Sequence, residues 1–149
     1  MSHENNKRAA DALLALHRLG AIQSPWLPGM RDEDGRRVER VETLDTDFGR
    51  EVYVHWYDEE EAEFVGDCLT RPDTDEPLTV AALGLLAREA WHAFVWVSRV
   101  LVVGRTSFRF MVCGLHRSDL DSLNAVFGYD AEADAWIAVL EAMALGGDT

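Results

Sequence analysis

An α+β fold is the class this sequence predicts, on three observations. Residues 51–57 alternate Val52, Val54 and Trp56 with Tyr53, His55 and Tyr57, the period-two pattern of a strand rich in β-branched and aromatic side chains. Both ends of the chain repeat apolar residues at three- and four-residue spacing, as helices with one buried stripe do. Pairs such as Ser24-Pro25, Pro28-Gly29, Asp34-Gly35 and Gly146-Gly147 punctuate the segments as turns. With 149 residues, 48% of them hydrophobic, the chain is long enough to bury one core, so a single acidic α+β domain over 1–149 is expected. Its parts are a three-stranded antiparallel meander at about 36–70, an N-terminal helix, a long central apolar helix and two C-terminal helices.

Asn6–Gly20 reads as an amphipathic helix with Ala9, Ala10, Leu13, Leu14, Leu16 and His17 toward the core, and Gly20 supplies the left-handed residue that ends it. In the following loop Trp26, Leu27 and Met30 turn back onto the core. The strands are placed at about 37–45, at Glu51–Tyr57 and at about 63–70, joined by the turn Asp45–Gly49 and by the acidic run Asp58–Glu63. Val38, Val41 and Leu44 recur every three residues, which would also suit a helical turn.

Leu78–Val103 is the most apolar segment. Arg88, Glu89 and His92 interrupt it, and its uninterrupted pieces are about half of the ~20 residues a bilayer span needs, so no membrane is expected. On a helix, Arg88, His92, Val95 and Arg99 form one narrow polar stripe, and this long helix is the preferred reading. The competing reading ends the helix near His92 and folds Phe94–Val103 and Ser107–Cys113 into a hairpin around Gly104-Arg105-Thr106. Ser118 is expected to cap a helix that buries Leu120, Leu123 and Phe127 before Gly128. Asp130 is expected to cap the last, with Trp136, Ile137, Leu140, Met143 and Ala144 buried.

Charge carries the functional reading. Twenty-seven acids against fourteen bases give −13, and residues 32–76 alone hold seventeen acids and five bases. The acids cluster at Asp32-Glu33-Asp34, at Asp58-Glu59-Glu60-Glu61-Ala62-Glu63 and at Asp73-Thr74-Asp75-Glu76, so one face should be strongly electronegative. Such a surface repels phosphates, which excludes direct nucleic-acid binding and binding to anionic membranes, and it suits a basic protein partner. Trp56 and Tyr57 run directly into the acidic loop, and a flat ring beside carboxylates can receive Arg side chains by stacking and charge pairing together.

Catalytic signals are few. Asp58–Glu63 lacks the glycine and spacing of a calcium loop, and the sequence has no phosphate-binding loop, dinucleotide fingerprint, serine elbow or His-Glu-x-x-His. Cys113 and His116 stand three apart without a second pair of ligands, so Cys68 and Cys113 are read as buried structural thiols in a reducing compartment. His55 is read as a packed strand histidine. No catalytic residue, metal site or cofactor is assigned, and the absence of a targeting motif points to the cytoplasm.

These observations lead to an acidic protein-binding inhibitor or antidote, of the immunity-protein, antitoxin or DNA-mimicking kind, which covers the basic, nucleic-acid-binding surface of a partner. The recognition residues are Trp56, Tyr57, Asp58, Glu59, Glu60, Glu61, Glu63, Asp73, Asp75 and Glu76. The alternatives are a structural or adaptor subunit of a homo-oligomer, buried through its long apolar helix, and a metal-assisted hydrolase built from His55 and the 58–63 carboxylates.

Overall fold

The computed structural model describes residues 2–91, 95–101, 104, 107–115, 117–124 and 128–146. Four helices and two small antiparallel sheets make the fold α+β. Helix α1 (Ser2–Arg18) begins four residues earlier than its apolar stripe suggests, because Asn6 has a structural task inside it: its amide oxygen accepts from the Thr74 backbone N–H (2.9 Å) and hydroxyl (2.7 Å). The helix ends as expected at Gly20 (φ 77), where the Gly20 and Ala21 amides return to the carbonyls of His17 and Leu16.

Strands β1 (Val38–Thr46), β2 (Gly49–Trp56) and β3 (Glu63–Phe64) form one sheet in that order, each pair antiparallel. The three-residue spacing of Val38 and Val41 has a β explanation. Val38 pairs with Trp56 and Arg40 with His55, so Glu39 is an extra residue in a bulge, and the slip brings Val38 and Val41 to the same side. Leu44 falls on the opposite side and stays exposed. The third strand is two residues long rather than eight; beyond the Val65 amide bond to Val52, the chain leaves the sheet at Gly66. At the β1–β2 turn, Gly49 takes φ 116 and Phe48 projects fully into solvent.

The long central helix is overturned in favour of the hairpin reading. Helix α2 (Pro77–Trp91) is followed by β4 (Trp96–Leu101) and β5 (Phe108–Cys113), paired antiparallel from Trp96↔Cys113 to Leu101↔Phe108. The physical reason is period two over β-branched residues: Val97 and Val112 face the core as a cross-strand pair, and Gly104 turns with φ 85. The polar stripe dissolves accordingly. Arg88 Nε donates to the Val95 carbonyl (2.7 Å), and the Arg99 guanidinium lies over the Phe108 ring at 4.6 Å. Trp96 is 40% exposed on this hairpin. His92, Phe94, Arg105, His116 and Phe127 lie outside the described residues.

Helix α3 (Arg117–Asn124) starts ahead of Ser118, which is therefore within the helix and not its cap; Leu123 is buried and Leu120 packs against the core. Helix α4 (Glu132–Gly146) buries Trp136, Ile137 and Leu140, with Met143 and Ala144 partly covered. Asp130 does not cap it, since its carboxylate takes the Arg109 guanidinium instead. Helix α4 lies against α1 through the bidentate Arg8–Glu141 pair and against α2, where Gly84 leaves only 3.0 Å between a built Cβ and the Trp136 ring. A single hydrophobic cluster runs through α1, the 22–30 loop, the three-stranded sheet, α2, the hairpin, α3 and α4. Among the described residues no helix is long and apolar enough to cross a membrane.

One glycine closes the C-terminal half. Gly128 (φ 77) lets the chain cross β5, where Phe110 and Tyr129 exchange backbone hydrogen bonds of 2.8 and 2.9 Å. A Cβ there would stand 2.6 Å from the Phe110 carbonyl oxygen and against Met111 Sδ. Gly128→Ala is expected to cost about 2 kcal/mol, read as a lower midpoint in urea unfolding, because strain and overlap act together. An unchanged midpoint would contradict this.

Candidate protein-binding surface

The three acidic clusters come together because short loops pair across the fold. Asp32 forms an antiparallel bridge with Pro72, flanked by bonds from the Glu33 amide to the Arg71 carbonyl (2.9 Å) and from the Asp73 amide to the Arg31 carbonyl (2.8 Å). This sets the first and third clusters side by side. The second is joined to them by Arg36, whose Nε donates to Asp32 Oδ2 (2.7 Å) while Nη1 reaches Glu63 Oε2 (2.8 Å) and approaches Glu59 Oε2 (3.5 Å). One arginine thus bridges two acidic clusters that are far apart in sequence.

Trp56 is the main correction to the expected site. It is 1% exposed, edge-on to Trp26 at 5.0 Å, with its indole N–H donating to Glu63. The Arg36 guanidinium stacks 4.0 Å above its ring. The aromatic seat for an arginine beside carboxylates exists, but the chain's own Arg36 occupies it, so Trp56 is not open to a partner. Tyr57, one residue on, is half exposed.

Glu63, Asp73 and Glu76 are likewise committed internally. Glu63 holds Arg36, Trp56 and, at 3.3 Å, the Thr70 hydroxyl. Asp73 pairs with Arg31 at 2.6 Å. Glu76 is buried as the N-cap of α2, accepting from the Thr79 amide (2.9 Å) and hydroxyl (3.0 Å), with Pro77 in the first helical position and Arg37 at 3.2 Å. Desolvation would raise the Glu76 pKa, but the Thr79 amide, Arg37 and the Thr79 hydroxyl together outweigh it and hold it below the ordinary carboxylate value. A depressed folded-state pKa gives stability that is present above the unfolded value and lost as pH falls through the folded one. Glu76→Gln is therefore expected to lower stability by about 1 kcal/mol at neutral pH, the usual size of a lost cap. The gap to wild type should close on acidification; urea midpoints from pH 7 to pH 3 check this, and a gap that persists at the acid end would refute it.

Asp58, Glu59, Glu60, Glu61 and Asp75 remain exposed. Of these only Glu59 meets a cation among the described residues, at the 3.5 Å of its Arg36 contact. Asp58 takes the left-handed conformation (φ 65) that aspartate tolerates better than most residues, turning the chain so that Glu60 and Glu61 form the loop tip. Asp34, exposed on the Asp32–Gly35 turn, adds a further carboxylate beside the Asp73–Glu76 segment. The surface is thus two-layered: a base of Asp32, Glu63, Asp73 and Glu76 neutralised by Arg31, Arg36 and Arg37, and a rim whose charge faces solvent.

The arginines of the base were absent from the sequence-derived site. Their signal is the pair Arg36-Arg37 set directly against Asp32-Glu33-Asp34, the densest basic point in the acidic third. His55 contributes nothing to the rim; its Nε2 lies 2.9 Å from Glu42 on the other side of the sheet from Trp56. Among the described residues no group of three or more His, Cys, Asp or Glu side chains is placed to hold a metal ion. Both cysteines are free thiols; Cys68 is exposed and Cys113 half-buried, so neither is the buried thiol that the sequence suggested. No protein-family model, no curated protein and no solved structure matches the chain.

Proposed function

We propose that this protein is an acidic inhibitor or antidote, acting in the cytoplasm, that covers a basic, nucleic-acid-binding surface of a partner protein. The observation that carries the reading is the division of labour among the acids. The fold pairs the carboxylates of Asp32, Glu63, Asp73 and Glu76 with Arg31, Arg36 and Arg37, and leaves those of Asp58, Glu60, Glu61 and Asp75 without an ion pair among the described residues. Exposed like charges held together on a stapled loop repel one another, so they are a cost to the folded chain that a cationic partner relieves. In a basic groove these carboxylates take the positions of phosphates, with fast, electrostatically steered association. Tyr57 supplies a half-exposed ring at the edge of the loop, the kind of anchor an interface uses.

The test is capture of a partner from the native host by immobilised protein, followed by elution with salt. Retention of a basic, nucleic-acid-binding protein at low ionic strength, released steeply as salt rises and displaced by duplex DNA or RNA, is the expected result. A partner that is neutral or acidic, or that is indifferent to salt, would overturn the reading. The protein itself is expected to give no mobility shift with duplex or single-stranded nucleic acid at low salt; micromolar binding would contradict the charge argument.

A further inference from the structure

One concavity takes in none of the acidic-rim residues and opens near the start of β2. It is an open groove of about 830 Å³ between the C-terminal end of α1, the tip of the β1–β2 hairpin and the chain after β3. This is within the range of small-molecule sites. Residues 43–50, around the tip of this hairpin, are all exposed. On the apolar side the groove is bordered by Phe48, which is 100% exposed, and by Phe64 and Leu19, each about half exposed. Scattered exposed apolar residues are ordinary, but three that border one groove make a patch.

The polar side carries two guanidiniums, of Arg18 and Arg50, and two carboxylates, of Asp45 and Asp67. Arg18 and Arg50 both line the groove, reaching it from the helix and from the hairpin. Arg18 Nη2 donates to the Asp67 carbonyl (2.9 Å) and lies 3.6 Å from its carboxylate, and Arg50 Nε donates to Asp45 (3.2 Å). Asp45 and Asp67 are almost fully solvated, so both pairs are screened and weak. Among the described residues the Nε and Nη1 of Arg18 and the two terminal nitrogens of Arg50 have no acceptor. His17 completes the wall between them. Burial, aided by the nearby Arg18 and Arg50 and opposed by the Ile22 backbone, holds its pKa down. The groove's positive charges are the two guanidiniums, each set against a solvated lining carboxylate.

We propose that this groove binds a small ligand with a ring-sized apolar body and one terminal anionic group, the body against Phe48, Phe64 and Leu19 and the anion on Arg18 and Arg50. A planar fork with unused donors binds a carboxylate or phosphate group in two-point fashion, and the apolar rim rewards a ligand whose other end is hydrophobic. None of the acidic-rim residues Asp58, Glu59, Glu60, Glu61 and Asp75 lines the groove.

The experiment is a nitrogen–proton NMR titration with three probes: 3-phenylpropionate, 3-phenylpropan-1-ol as the body without the charge, and inorganic phosphate as the charge without the body. Saturable shifts at residues 17–20, 45–50 and 64–67 are expected for 3-phenylpropionate, with an affinity at least about tenfold above that of the alcohol or of phosphate, or about 1.4 kcal/mol. Arg18→Gln and Arg50→Gln, both at exposed side chains, should each reduce that preference and together abolish it, while Phe48→Ser should weaken the acid and the alcohol alike. Equal affinity for acid and alcohol would reduce the site to an apolar groove and overturn the proposal. So would preference retained in the Arg18→Gln/Arg50→Gln variant, or no saturable shift in the groove at concentrations of about 20 mM, well above a millimolar dissociation constant.

Discussion

Arg36→Ala is expected to lower the unfolding free energy by about 3 kcal/mol. The side chain is only partly covered, but what it leaves behind is not. Asp32 is 0% exposed, and without the guanidinium its carboxylate keeps only the Asp34 and Arg36 backbone amides, at 3.1 and 2.8 Å. Removing one partner of a buried pair costs more than the pair contributes, because a charge is stranded away from water. The same change takes the cation from over Trp56, frees Glu63 from its salt bridge and lets Glu59 and Glu63 repel Asp32 across the gap. Burial would by itself lower the Arg36 pKa, but its bonds to Asp32 and Glu63 more than reverse that, so the guanidinium stays charged at every pH at which the protein is folded. Arg36→Lys should recover only part of the loss, since an ammonium cannot span Asp32 and Glu63 with a planar fork. Urea unfolding at neutral pH measures all three proteins. The double variant Asp32→Asn/Arg36→Ala should be less destabilised than the sum of its single changes, because no charge is then stranded. A loss below about 1 kcal/mol for Arg36→Ala, the range of an ordinary solvated pair, would make Arg36 a surface residue and dissolve the two-layer description of the acidic surface.

How far the sequence could be read follows from which signals are local. The helix from 132 and the alternation of Val52, Val54 and Trp56 are periodicities within one element, and they survive intact. The region 78–103 misleads because Leu, Ala, Val and Trp satisfy a helix and a buried hairpin equally, and the stripe Arg88–Arg99 was a coincidence of spacing between two elements. Val38 and Val41 mislead through a bulge, which shifts a strand by one residue and imitates a helical step. At the site, local composition locates the acids but not their partners. That Asp58 and Glu60 are unpaired among the described residues while Glu63 and Glu76 are paired depends on where Arg36 and Arg37 reach. Trp56 shows the limit best: its chemistry as an arginine acceptor was legible, whereas the identity of the arginine depends on the tertiary fold.

The triple variant Glu60→Lys/Glu61→Lys/Asp75→Lys is expected to fold as the wild type does and to lose partner binding by several kcal/mol, because a six-unit reversal sets like charges against a basic groove. These three positions are chosen from the rim because they have no ion pair among the described residues and ordinary backbone angles. Glu59 is left in place, since a lysine there would face Arg36, and Asp58 is left because a lysine fits its left-handed conformation less well. Each exposed change should shift stability by no more than about 0.5 kcal/mol, and relief of acid–acid repulsion acts in the favourable direction. The corresponding alanine variant, which removes charge without reversing it, should lose less, and mainly in the association rate and in its salt dependence. Tyr57→Ala should instead act on dissociation, since it takes away an anchor and leaves the steering field intact. Binding kinetics against the captured partner at two ionic strengths separate these effects. Unchanged association by a folded triple-lysine variant would assign the rim to solvent, and the carboxylates would then have no recognition role.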